Sequence, residues 1–588
     1  MRRPRSTVLL TIVCLSPLAP VRAQATRLDS LDAFVKAQMA LRQVRGLSLA
    51  VLKEGKIVVA RAYGVVDDST KAPVTTSTLF QAGSISKPVS ALGALRLVEK
   101  GTLSLDDDVN AKLASWKVPE NKFTTTEKVT LRRLLSHTAG LTVHGFPGYD
   151  IGEPMPTVVQ VLDGAPPANT APIRVDTTPG AIWRYSGGGV TVAQQLVMDV
   201  TRQPYARYLQ TTVLGPIGMT SSSFEQPLPA ARAALTATGY YADGSPVHGR
   251  WHLYPEMAAA GLWTTPTDLA KFAIEIQHAL AGRGHGVISR TMARQYVTDV
   301  KSGYGLGVGV YGGAGSALRF GHGGRDEGFD ALLDAGAESG DGVVVMINAN
   351  DNSPLKNRIR DFVARAWSFG GPPPPRQEPA ATVAARIEPR RLATYAGYYE
   401  ASENNMMALG ANADGSGMQI LVDGRPAENL LAMDSTSFGS SDRPYRVIFG
   451  ADGRTVTLFP GAPRERRAPR VTPLPSTLQP RPDPDPSLAE RIATAIAALR
   501  DGGAALAATA GVTAGAKSDF GRPDPSLAVF PRATYLGEED VAGRGIRRHG
   551  SDVARVRLYR LPTERGEWYL MVHVTAEGAV TDYDIVLR

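Results

Sequence analysis

The sequence predicts an α+β fold in which residues 26–369 build one sheet from their two ends around a helical middle. A small all-β unit at 386–460 and a small α+β unit at 487–588 follow. Three observations carry this reading. Strand-like apolar runs lie at both ends of the first region, with helix-period runs between them. Pro372-Pro373-Pro374-Pro375, and then eight prolines between residues 461 and 486, mark two stiff linkers at 370–385 and 461–486. Between the linkers, short alternating segments are punctuated by Asp414-Gly415, Asp423-Gly424 and Asp452-Gly453 turns. At 588 residues the chain is also too long for a single core.

At the N-terminus, Arg2, Arg3 and Arg5 precede an apolar run at 8–15, and Val21-Arg22-Ala23 offers small residues for cleavage. Residues 1–23 therefore read as a secretory signal peptide, which implies a secreted or periplasmic protein. Cys14, the only cysteine, falls in that segment, so the mature chain is expected to carry neither a disulfide nor a thiol nucleophile. The same segment holds four arginines and no acid, so the net charge of +8 falls to +4 without it. That charge is diffuse, and no basic run is interleaved with aromatics, which argues against nucleic acid as a partner. No later stretch reaches transmembrane length.

Residues 28–42 have the spacing of an amphipathic helix. Segments 46–52 and 56–60 read as a hairpin turning at Glu54-Gly55. A helix running to about residue 100 buries Val89, Leu92, Leu95 and Val98 on one face and stops at Gly101. Residues 103–183 are mixed helix and loop, and Tyr185-Ser186-Gly187-Gly188-Gly189 is a turn feeding a helix over 190–200. Four strand-like runs follow at 304–310, 317–320, 329–335 and 342–347, and a helix over 354–367 closes the region. In the terminal unit, Ser487-Leu488-Ala489-Glu490 reads as a capping box for a helix to residue 500. Strands are expected at 555–561, 568–574 and 581–587.

The chemistry-bearing stretch is Ala82-Gly83-Ser84-Ile85-Ser86-Lys87-Pro88. On a helix Ser84 and Lys87 share a face, with Cβ atoms roughly 5–6 Å apart, so the amine can take or relay the hydroxyl proton. A chain of this length holds about one S-x-x-K by accident, so the pattern needs company. A second match, Ser353-Pro354-Leu355-Lys356, reads as a helix N-cap with proline at the first helical position. Company for Ser84 comes from Tyr185, a phenol on a glycine-rich turn able to exchange a proton, and from His322-Gly323-Gly324. The latter offers a polar side chain and a backbone bare enough for a substrate to lie along. Backbone N–H groups of Ser84 and Arg325 are the expected oxyanion hole. His137 reads as a structural histidine. His144, His248, His252, His278 and His285 have no metal-site spacing, and no cofactor or metal is expected.

Phe80-Gln81-Ala82-Gly83-Ser84-Ile85-Ser86-Lys87-Pro88, Leu134-Leu135-Ser136-His137-Thr138-Ala139-Gly140-Leu141, Tyr185-Ser186-Gly187 and Gly321-His322-Gly323-Gly324 occur in the order of the class C β-lactamase-related serine hydrolases. The sequence resembles that penicillin-binding-protein-like family over roughly residues 28–368. The resemblance implies an antiparallel sheet flanked by helices, with an all-helical lobe and the site between them. It implies Ser84 as the acylated nucleophile and Lys87 with Tyr185 as the acid/base pair. His322, Gly323, Gly324 and Gly187 would stand on the substrate side. The Leu392-x-x-Tyr395-x-Gly397-x-Tyr399 stretch is similar to the opening of lipocalin-like barrels appended to many such hydrolases.

Two positions depart from true class C lactamases. Gly187 replaces the asparagine of their Tyr-x-Asn, and His322-Gly323-Gly324 replaces Lys-Thr-Gly. Lys301-Ser302-Gly303 is a rival for that third motif, but only His322 is followed by the two strands and helix the fold requires. The expectation is a serine hydrolase acting on a small-molecule or peptide substrate, an ester, amide or D-amino-acid peptide. A cell-wall DD-carboxypeptidase or endopeptidase, a weak β-lactamase, and a binding module without turnover are the alternatives.

Overall fold

The computed structural model describes residues 18–241, 244–313, 316–350, 353–369, 387–402, 405–422, 425–440, 446–460, 465–520, 524–563 and 566–587. Most of the expected signal peptide (residues 1–17), the linker 370–385 and the Asp423-Gly424 turn lie outside them. The chain divides into two units, Met1–Pro374 and Pro375–Arg588.

In the first unit, helix α1 (Leu18–Leu41) leads into β1 (Gly46–Lys53) and β2 (Lys56–Gly64). These pair antiparallel and turn at Glu54 and Gly55, both with positive φ. After the helical middle come β3 (Gly309–Gly313), β4 (Ser316–Asp326), β5 (Phe329–Gly336) and β6 (Gly342–Ile347). All six form one antiparallel sheet in the order β2-β1-β6-β5-β4-β3. The closing pair, Leu47 opposite Ile347, joins the two ends of the region, as the strand pattern predicts.

Both faces of the centre are covered. Leu47, Leu49, Val51, Val343, Val345 and Ile347 pack with Leu31 and Val35 of α1 and with Leu355, Ile359 and Val363 of the helix Ser353–Ala366. Ala50, Leu52, Val344 and Met346 join the larger core of the helical region on the other face. That is why β6 reads as a continuous apolar run rather than an alternating one. The run at 304–310 is not the strand expected of it. Gly303 and Gly307 take φ of 77° and 98°, left-handed values that interrupt extended backbone, so β3 begins only at Gly309.

In the second unit, eight strands from Gly397–Ser402 to Arg466–Thr472 close into a barrel. Leu409, Met418, Leu430, Val447, Val456, Tyr399 and Phe449 fill its interior, as eight strands leave room for little besides side chains. The barrel therefore extends beyond residue 460. Its last strand lies inside the stretch read as a linker, disguised by Pro469 and by three arginines without alternation. The terminal sheet, of strands Thr534–Asp540, Arg555–Thr563, Gly566–Val574 and Val580–Leu587, packs on helix Pro486–Asp501. Asp485, not Ser487, caps that helix, accepting from the Leu488 N–H, because Pro486 takes the first helical position. Barrel and terminal sheet share a core of Tyr398, Ala408 and Val471 with Leu536, Val556 and Met571. Arg548, fully buried, ties them by pairing with Glu400 at 2.9 Å and Asp582 at 3.2 Å.

Among the described residues no helix is long and apolar enough to cross a membrane.

Candidate active site

Ser84 lies in a single 3-10 turn, Gly83–Ile85, that runs directly into α2 (Ser86–Glu99). The turn is held from behind. Ala82 N–H donates to Leu262 O at 2.9 Å, and Leu262 N–H donates to Ser86 Oγ at 2.9 Å. Lys87 Nζ lies 2.9 Å from Ser84 Oγ and 2.8 Å from the carbonyl of Ala259. The lysine is only 3% exposed, so its amine is committed to these contacts rather than to solvent. Ser84 thus precedes the helix on which the spacing placed it, and its hydroxyl still meets the Lys87 amine. The second S-x-x-K is not equivalent, since Lys356 forms a buried ion pair with Asp330.

Tyr185 stands at the entrance to α3 (Gly187–Thr201), with its ring centroid 4.9 Å from Lys87 Nζ. Its hydroxyl is buried and has no hydrogen-bond partner among the described residues. A phenol so placed is not committed to any other described group. His322 is on β4, its Nε2 2.9 Å from the Tyr304 hydroxyl, and its ring centroid is 6.0 Å from that of Tyr185. Ser84, Lys87, Tyr185 and His322 thus converge. Lys301 does not join them, because its amine donates to the carbonyls of Gly180 and Ala181.

The glycines have different reasons. A Cβ on Gly83 would sit 2.3 Å from Arg325 N, and one on Gly324 would sit 1.9 Å from Ala82 O. These two glycines let β4 press against the Ser84 turn, bringing the backbone N–H of Arg325 beside it. Gly323 is exposed, with nothing within 4 Å of its would-be Cβ, and is the bare position along which a substrate can lie. Gly324 is a packing glycine instead. Gly187, expected on the substrate side, is buried. Its N–H donates to His144 O, and the space a side chain would need holds Phe146 Cε2 at 2.9 Å. The departure from Tyr-x-Asn is therefore more than a missing amide: an aromatic ring occupies the position.

The sequence model of the family described as Beta-lactamase matches residues 31–366, more than half of the chain. The chain belongs to the beta-lactamase family. Among curated relatives, Protein flp of Staphylococcus aureus (strain N315) is 24% identical over 346 residues, covering 55% of this chain and 63% of that protein. Esterase EstB of Burkholderia gladioli is 30% identical over 249 residues, 40% of this chain and 60% of the esterase. The chain thus spans less than two thirds of either relative. The octameric penicillin-binding protein homologue from Pyrococcus abyssi superposes with a TM-score of 0.51 at 23% identity, over 75% of this chain and 99% of that one. That likeness establishes the shared fold.

Of three aromatic neighbours of the site, the sequence reading assigns none to it: His137 reads as structural, and Trp183 and Tyr304 are not singled out. His137 packs against Tyr185 and Tyr304 with ring centroids 4.3 and 4.6 Å apart, and Trp183 lies 6.3 Å from His137. Only the Leu134–Leu141 motif hinted at His137. Tyr304 was hidden in an apparent strand.

Burial first, and then the Lys87 charge, push the His322 imidazole down from 6.5 to about 4. Between those values the unfolded chain holds a proton that the folded chain does not. Stability is then present above pH 6.5 and is lost as the pH falls toward 4. His322→Gln is expected to reduce that acid-side fall in melting temperature. It should not abolish the fall, since burial also holds His137 well below its ordinary value. An unchanged slope of melting temperature against pH would refute this assignment.

Proposed function

We propose that the protein is a secreted or periplasmic serine hydrolase working through an acyl-enzyme on Ser84, with a small ester, amide or D-amino-acid peptide as substrate. One observation carries the reading: a buried amine bonded at 2.9 Å to the Ser84 hydroxyl, beneath a phenol whose own hydroxyl is uncommitted among the described residues. Ser84 Oγ attacks the carbonyl carbon while its proton passes to the Lys87–Tyr185 pair. The N–H groups of Ser84 and Arg325 take the developing negative charge. The pair returns the proton to the departing alcohol or amine. Water then attacks the ester on Ser84 by the same steps in the same order, releasing the acid.

The basic and apolar pattern of residues 1–23 supports export. The substrate class is supported by what β-lactams would lack here. Phe146 stands over Gly187 in place of an amide partner, and no Lys-Thr-Gly follows. Ester and peptide hydrolysis needs only the nucleophile, the proton pair and the oxyanion donors. The esterase among the relatives supports the same choice.

A fluorophosphonate probe followed by peptide mass spectrometry should give one adduct, on Ser84. Absence of an adduct with any acylating probe would sink the proposal. Side-by-side rates on a p-nitrophenyl ester, a D-amino-acid p-nitroanilide and nitrocefin should rank nitrocefin last, and nitrocefin as the fastest substrate would overturn the substrate assignment.

A further inference from the structure

We propose that His137 is the positioning residue of Tyr185, a buried two-point clamp that aims the phenol while leaving its hydroxyl uncommitted. The inference rests on Tyr185 being the proton-exchanging group of the reading above. A group that must exchange a proton with the substrate gains nothing from being tied down by its own hydroxyl. The Tyr185 hydroxyl has no partner among the described residues, so whatever orients the side chain must act on its backbone or its ring.

His137 does both. Its carbonyl accepts from Arg184 N–H at 2.9 Å, and its Nδ1 accepts from Ser186 N–H at 3.2 Å. The N–H groups of the residues before and after Tyr185 therefore end on one residue, and the imidazole lies 4.3 Å, centroid to centroid, from the Tyr185 ring. The His137 backbone makes this possible by taking φ of 59°, a left-handed conformation that is unusual for a residue with a side chain. His137 is 2% exposed, and acceptance at Nδ1 requires that its proton be on Nε2. Burial, followed by the Lys87 charge, keeps the ring neutral and so preserves that acceptor. The Tyr185 carbonyl, in the same peptide group as the Ser186 N–H, is also bonded, by the exposed His144 Nδ1.

The substitutions that separate clamping from mere packing are His137→Gly and His137→Asn. Both tolerate positive φ, and only asparagine keeps an acceptor near the place of Nδ1. With a p-nitrophenyl ester, His137→Gly is expected to lose about 10²-fold in kcat with KM changed less than about threefold, because a misplacement near 1 Å suffices for that loss. His137→Asn should recover most of the rate. In the Tyr185→Phe background His137→Gly should cost nothing further, since its effect runs through the missing hydroxyl. Additive losses in that double variant, or a folded asparagine variant as slow as the glycine one, would overturn the clamp. If the glycine variant does not melt cooperatively, the asparagine variant decides alone: near-native kcat supports the clamp and a 10²-fold loss overturns it. A crystal structure of the asparagine or glycine variant gives a readout independent of turnover. The Tyr185 ring should stay near 4.9 Å from Lys87 Nζ with asparagine and leave it with glycine, and an unmoved ring in the glycine variant would overturn the clamp even if the wild type turned over no ester.

Discussion

Lys87→Ala is expected to lower ester turnover by about 10²–10⁴-fold, and Tyr185→Phe by a similar factor, the range for losing acid/base help. Among the described residues Lys87 Nζ is the side-chain partner of Ser84 Oγ, at 2.9 Å, and the Ala259 carbonyl fixes it from the other side at 2.8 Å. An alanine leaves the hydroxyl without a group to take its proton and leaves that carbonyl facing a cavity. The same substitution has a second readout. The Lys87 charge helps hold His322 down at about 4, so removing it should move the His322 titration up toward its ordinary 6.5, visible by histidine NMR. Rates like the wild type in either variant would refute the assigned roles, and an unmoved His322 would show that burial alone sets its titration.

How much of this was legible depended on whether a contact is local in the chain. Ser84 and Lys87 are one helical turn apart, so their pairing follows from backbone geometry alone. Tyr185 and the His322-Gly323-Gly324 stretch carry their own local signatures, a glycine turn and a glycine-paired strand. The sheet closed by Leu47 against Ile347 was readable because both ends keep strand-like apolar runs. What could not be read are facts about how distant loops meet. Phe146 over Gly187 joins a loop to the first turn of α3, 41 residues on, and needs the fold to be known. Tyr304 reaches His322 only because left-handed glycines turn its backbone out of a strand. His137 looked structural because its motif shows neither its positive φ nor the two amides it accepts from.

The second unit fails in a different way. Proline density is a sound sign of a linker, yet Pro469 sits in a barrel strand opposite Thr455. A proline lacks only its own N–H, and a strand survives where that donor is not required by the ladder. Likewise Ser487 and Glu490 form a valid capping-box pattern, but Asp485 followed by Pro486 is the stronger start, and the chain uses it. In both cases two local rules competed, and tertiary packing chose between them.

Gly324→Ala is expected to damage both folding and catalysis, whereas the neighbouring Gly323→Ala should leave stability unchanged. A methyl on residue 324 would lie 1.9 Å from Ala82 O and 3.0 Å from Ala82 C, both backbone atoms. The Ala82 turn cannot withdraw freely, because its N–H is bonded to Leu262 O and the following turn is bonded through Ser86. Either β4 or the turn must then shift, at a cost of about 1–3 kcal/mol of overpacking, read as a fall in melting temperature. The shift also separates the N–H groups of Ser84 and Arg325, which Gly83 brings together from the other side at a would-be Cβ distance of 2.3 Å. Losing one oxyanion donor costs on the order of 10²–10³ in kcat. Residue 323 has no heavy atom within 4 Å of its would-be Cβ, so a methyl there meets only the substrate. Its effect should appear in kcat/KM and not in melting temperature. Equal behaviour of the two alanine variants would mean that the turn and strand are not locked together as the geometry requires. A normal kcat in Gly324→Ala would remove the Arg325 N–H from the site.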